Sequence, residues 1–207
     1  MNLEELATEQ RNQKTMQLDD MSIRQIIEVM NEEDMYAVYA VKKAIPQIER
    51  LISFAVEALS ASGRIVYIGA GTSGRLGILD AVECPPTFGV SYNTVVGIIA
   101  GGDNAFVKAK EGAEDSIEEG AEDLKRIGLN EKDLVIGLTA SGRTPYAIGA
   151  VQYAKSVGCV TGAISCNLNS EISEDVDVAV EVETGPEIIS GSTRLKAGTA
   201  EKMVLNM

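Results

Sequence analysis

Two short stretches, Gly69-Ala70-Gly71-Thr72-Ser73-Gly74 and Thr139-Ala140-Ser141-Gly142-Arg143-Thr144, combine glycines with hydroxyl side chains. Each follows an apolar run of strand character and precedes a helical pattern. A chain folded in this way offers backbone N–H groups and a helix N-terminus to a phosphate. Gly71, Thr72 and Ser73 in the first turn are candidate phosphate contacts, as are Thr139, Ser141, Gly142 and Thr144 in the second. The simpler readings are a tight strand–helix turn with no ligand and plain N-capping by Ser141. The first turn also fits G-x-G-x-x-G, the dinucleotide fingerprint, which needs an acid at the end of the next strand to hold ribose. That position reads Ile98-Ile99-Ala100-Gly101-Gly102, with no carboxylate before Asp103. The missing acid and the second turn favour a phosphorylated small molecule over a dinucleotide.

The chain contains no histidine, which removes histidine triads, histidine metal sites and histidine acid–base catalysis. Proton transfer falls to carboxylates, lysine, tyrosine or cysteine. Glu83 stands in Asp80-Ala81-Val82-Glu83-Cys84-Pro85-Pro86, where a helix is expected to meet a Pro-Pro break. The dipole disfavours an anion at a helix C-terminus, so a cleft-facing carboxyl there suits a general acid. A surface acid is the alternative. Glu114 falls in a pattern read as one long helix from Asp103 to Ile127, at the margin of its apolar stripe. Its many acidic neighbours read as a solvated face.

With 207 residues and a net charge of −13, the chain suits one α/β domain and not binding to nucleic acid or an anionic membrane surface. A phosphorylated ligand must then find local cations, and Arg75, Arg143, Arg194 and Lys196 all stand in Gly/Ser/Thr-rich segments. Three cysteines outside any C-x-x-C pattern read as reduced thiols of a cytoplasmic protein. No apolar stretch approaches the roughly 18 residues of a membrane span.

These groups need a frame. Residues 1–20 read as a polar arm with little structure of its own. Ser22 caps a short helix to about Asn31, and Asn31 caps a second helix that Pro46 kinks or restarts and Ser62-Gly63 closes. Strands are expected at 64–68, 94–100, 134–139, 160–165 and 176–182, alternating with helices from about 73, 103 and 145. Apolar strands alternating with helices predict a five-stranded parallel, doubly wound sheet of the flavodoxin-like type. Ligands of such sheets bind at the carboxyl ends of the strands. The division expected is an N-terminal arm and helices over 1–60, packed on a sugar-phosphate domain over 61–207.

GAGTSGRLGILDAVECPPTFG, GGDNAFVKAKEGAED, TASGRTPY and GPEIISGSTRLKAGTAEK, in this order, closely resemble the N-acetylmuramic acid 6-phosphate etherases of the sugar isomerase (SIS) fold. RNQKTMQLDDMS and MNEED resemble their N-terminal segment, though RNQKT stands where RNPxT is the pattern. The related glucokinase regulatory protein shares parts of this set. The resemblance implies a lyase of cell-wall recycling that releases D-lactate by elimination and rehydration, as a cytoplasmic homodimer with no metal or other cofactor. It implies that Glu83 protonates departing lactate, that Glu114 is the base at sugar carbon 2, and that Ser73, Thr139, Ser141 and Thr144 hold the phosphate. It also implies that Glu187, Arg194 and Lys196 lie near the sugar, from a partner subunit, and that the family continues past Leu205-Asn206-Met207 into a helical region absent here. A non-catalytic SIS-type regulator and a sugar-phosphate isomerase are the other readings of the same motifs.

Overall fold

The computed structural model describes residues 6–207. Five strands, β1 (Ile65–Gly69), β2 (Val95–Ile99), β3 (Leu134–Thr139), β4 (Val160–Ser165) and β5 (Val178–Glu181), form one all-parallel sheet in the order β2-β1-β3-β4-β5. Helices α1 (Ile23–Lys43), α2 (Ile45–Ser60), α3 (Gly71–Phe88), α4 (Asn104–Val107), α5 (Ile117–Arg126), α6 (Pro145–Val157) and α7 (Lys196–Leu205) cover it. Leu134, Ile136 and Leu138 of β3 face a core built with Val41, Ile48, Leu51, Ala197 and Val204. Val135 faces the opposite core, with Val66, Ile68, Leu124, Tyr146 and Ala150. Helices on both faces leave no side of the sheet to water, which is why its strands read as unbroken apolar runs. None of the described helices is long and apolar enough to cross a membrane.

Several elements differ from the sequence expectation. The helix starting at Ser22, which makes a capping box with Gln25, runs unbroken to Lys43, so Asn31 is an interior residue and caps nothing. Pro46 does restart the chain, in the first turn of α2, where its missing N–H costs no bond. α3 continues through Pro85 and Pro86 to Phe88 and ends at Gly89, whose φ is 67°. Packing decides this: Gly77 and Ala81 are buried against the sheet, and the two lost N–H groups fall in the helix's last turns. The long helix expected from Asp103 is two helices. α4 ends at Val107 and α5 begins only after Ser116, whose hydroxyl accepts the Glu119 N–H.

The N-terminal arm is ordered over its described part. Residues 7–20 form three short 3-10 turns. Asn12 Nδ2 donates to Glu33 Oε2 at 2.9 Å and to the Pro186 carbonyl at 3.3 Å. Thr15 Oγ1 donates to the Ile188 carbonyl at 2.8 Å, and Asn167 Nδ2 donates to Thr8 Oγ1 at 3.0 Å. Sequence patterning does not show these bonds because they join residues more than 150 positions apart, apart from the Asn12–Glu33 pair.

Candidate functional site

The chain passes from β1 to β2 on one side and then returns to place β3 on the other side of β1. The carboxyl ends of β1 and β3 therefore flank a topological switch point, the usual ligand position of an open parallel sheet. Gly69 pairs in register with Leu138, so the two glycine- and hydroxyl-rich turns leave the sheet side by side. Between them opens a cleft of about 500 Å³ lined by Gly71, Thr72, Ser73, Arg75, Glu114, Ser141, Arg143 and Thr144. Glu9, Asp115, Gly191 and Thr193 complete the rim. A smaller recess of about 190 Å³ shares Gly71, Arg75 and Glu114 with it and adds Lys110.

The first turn opens α3. Ala70 caps the helix without any side-chain bond, so the N–H groups of the first helical turn keep their capacity to meet an anion. Gly71 has a φ of 54° with open space where a Cβ would stand. Ser73 is 94% buried, and its hydroxyl donates to the carboxylate of Glu201 on α7, at 2.8 and 3.0 Å from the two oxygens. Arg75 is tied down by the Ala105 and Phe106 carbonyls of α4, at 2.7 and 2.9 Å.

The second turn is braced from below. Thr139 is buried, its hydroxyl 2.8 Å from that of Thr144 and 3.4 Å from that of Ser141. Asn167 Nδ2 donates to the Ala140 and Ser141 carbonyls at 3.1 and 3.3 Å. Gly142 has a φ of 74°, and a Cβ there would stand 2.2 Å from Ser170 Cβ. Only glycine fits such a position. Thr144 makes no side-chain cap for α6. The Tyr146 N–H instead donates to the Glu114 carbonyl at 3.1 Å. That bond pins the turn carrying Glu114 over the start of α6 and sets its exposed side chain at the cleft rim.

Not every candidate residue reaches the cleft. Glu83 is exposed on α3, outside the cleft lining. It lies about 18 Å from Gly71 along the helix axis at roughly 1.5 Å per residue. Exposed Val82 and Phe88 share its half of the helix, and exposed Leu79 stands one turn before it. Arg194 is exposed and also outside the lining. Glu187 is fully buried and accepts the Lys196 and Ala197 N–H groups at 3.0 and 2.9 Å, capping α7. Burial raises its carboxyl pKa against the opposing pull of those N–H groups. Lys196 is 1% exposed, and its Nζ donates to Glu33 Oε2 at 2.6 Å. Burial pushes Glu33 up, but Lys196, Lys14 and Asn12 together hold it below the usual carboxylate range.

Known proteins place this arrangement in a family. N-acetylmuramic acid 6-phosphate etherases from Bacillus cereus (strain ATCC 14579) and Bacillus mycoides (strain KBAB4) are each 62% identical over 99% of this chain and 70% of the relative. The chain belongs to the N-acetylmuramic acid 6-phosphate etherase family. A family model of the glucokinase regulatory protein N-terminal SIS domain matches residues 47–155, and one of the SIS domain matches 117–207. Solved structures repeat the fold of the etherase family at low identity. A phosphoheptose isomerase from Neisseria gonorrhoeae superposes with a TM-score of 0.67 at 15% identity, over 89% of this chain and 95% of that one. The Vibrio vulnificus NanR protein complexed with ManNAc-6P has a TM-score of 0.59 at 14% identity, over 90% of this chain and 66% of that one.

Sequence reasoning passed over Asp115, Glu9 and Thr193 at the rim, and above all Glu201 behind Ser73. Glu201 is wholly buried, and burial pushes its carboxyl up to about 8 against the favourable Ser73 bond. It reads as an ordinary helix residue, four after Ala197. Only the packing of α7 against α3 shows its target.

Proposed function

We propose that this chain cleaves the D-lactyl ether of N-acetylmuramic acid 6-phosphate, giving N-acetylglucosamine 6-phosphate and D-lactate. The observation that carries the reading is the meeting of Glu114 with both phosphate-type turns in one cleft, in a chain 62% identical to relatives of that name. The phosphate sits on the first N–H groups of α3 and the hydroxyls of Ser141 and Thr144, with Arg75 and Arg143 supplying positive charge. The Glu114 carboxylate removes the proton from carbon 2, which the open-chain aldehyde acidifies. The bond from carbon 3 to the lactyl oxygen then breaks, and lactate leaves with a proton from Glu83. Water adds hydroxyl to carbon 3 of the unsaturated aldehyde and a proton returns to carbon 2. Two carboxyl groups supply every proton transfer.

Glu83 stands on α3 outside the lining of its own chain's cleft. The reading therefore includes a homodimer in which the exposed Leu79 and Val82 beside Glu83 meet a second copy and bring Glu83 to that copy's cleft. Lys196 and Glu187 then act as anchors of α7, while Thr193 takes the rim position. The reading also keeps 61–207 as the sugar-phosphate domain, with the described arm and helices before it packed on it, and places the work in cytoplasmic cell-wall recycling.

The test is D-lactate release from N-acetylmuramic acid 6-phosphate and from the unphosphorylated sugar. The reading expects release only from the phosphorylated sugar, lost in Glu114→Gln. Equal release from both sugars, or full activity of Glu114→Gln, contradicts it.

A further inference from the structure

Glu201 stands where a carboxyl group is hardest to keep charged. It is wholly buried on α7, and among the described residues its side-chain hydrogen bond is to the Ser73 hydroxyl, at 2.8 and 3.0 Å. The described groups around it offer no cation. The end of β4 presents Cys166, a thiol that burial holds neutral and whose Sγ donates to the Ala197 carbonyl at 3.6 Å. The loop before α7 presents Glu187, already committed to two backbone N–H groups. On its own helix, Lys196 is paired with Glu33 of α1, and Lys202 bonds Asn206. Ser73 belongs at once to this buried pair and to the cleft lining.

We propose that Glu201 is a positioning residue for phosphate binding, its carboxyl deciding whether the Ser73 hydroxyl points back into the core or out to the ligand. The inference rests on the reading of the first turn as a phosphate site. With Glu201 ionised, the Ser73 O–H donates to it and presents only oxygen lone pairs to the cleft. With Glu201 protonated by a proton from solvent, the carboxyl O–H donates to Ser73 Oγ. The Ser73 hydrogen is then free to donate to a phosphate oxygen. A bound phosphate and a carboxylate on opposite sides of one hydroxyl also repel, so binding and protonation of Glu201 favour each other. With the carboxyl raised to about 8, the exchange falls near neutral pH.

The experiment is calorimetric binding of N-acetylglucosamine 6-phosphate and of N-acetylglucosamine between pH 7 and 9, in buffers of different ionisation enthalpy. The wild-type chain should take up protons on binding the phosphorylated sugar. Its affinity should fall up to about tenfold per pH unit above about 8. Glu201→Gln, whose amide donates permanently to Ser73, should bind with no proton uptake and a flat profile. A wild-type profile without proton uptake, or a Glu201→Gln profile like wild type, overturns the proposal. The wild-type proton count needs no variant, so it decides the matter even if Glu201→Gln folds poorly. Equal affinity for the two sugars would instead remove the phosphate site itself.

Discussion

Replacing Lys196 by methionine keeps most of the side-chain volume and leaves Glu33 buried without its closest cation. Removing one partner of a buried ion pair costs about 3–5 kcal/mol. Glu33 retains Lys14 at 3.0 Å and Asn12 at 2.9 Å, so the expected cost is at the lower end, about 3 kcal/mol. For a chain of this size that lowers Tm by roughly 6–12 °C. Urea unfolding of Lys196→Met and of the double variant Lys196→Met/Glu33→Leu measures it. The double variant should recover part of the loss, because apolar side chains replace a buried pair at little cost. The sign with pH follows from the lowered Glu33 carboxyl. Its stabilising contribution is complete above the ordinary value of 4.5 and is lost as pH falls through the lower folded value. The deficit of Lys196→Met should therefore shrink in acid. A lysine that contacted substrate would behave otherwise: stability within about 0.5 kcal/mol of wild type and a raised KM. That pair of results refutes the anchor role.

Gly142→Ala should destabilise by about 3 kcal/mol in thermal unfolding, from the positive φ and the clash with Ser170, and should raise KM by distorting the second turn. Ser141→Ala should weaken binding of N-acetylglucosamine 6-phosphate by about 1–3 kcal/mol in calorimetry while leaving stability nearly unchanged. Glu201→Gln should match wild-type stability near pH 4 and exceed it by several kcal/mol at pH 9. The raised wild-type carboxyl loses stability as pH rises from 4.5 to about 8, and denaturant titrations at both pH values read the difference.

Much of the frame was legible in the sequence because its signals are local. The apolar runs of β3 and β4 and the Pro145 start of α6 mark those elements to the residue. The two turns announce themselves through glycine and hydroxyl composition, and the parallel sheet brings them together. What sequence reading missed depends on distant partners. Asn31 resembles a cap, but the continuous α1 positions Glu33 for Lys196, 163 residues away. Pro85 and Pro86 resemble a break, but the sheet holds α3 through them. Glu114 resembles a helix residue, but Gly112 takes a φ of 73° and the bond to Tyr146 fixes a turn. Glu187 and Lys196 attract notice by charge, yet burial and backbone or ion-pair partners employ both within the core.

The shared-cleft account meets its most direct test when Glu83→Gln and Glu114→Gln proteins, each inactive alone, are unfolded, mixed in equal amounts and refolded together. Half the dimers formed at random are mixed, and each mixed dimer holds one intact pair of carboxyls, so D-lactate release should return to about a quarter of wild type. A refolded mixture as inactive as its components, beside a refolded wild type that is active, would contradict a cleft completed by Glu83 of a second copy.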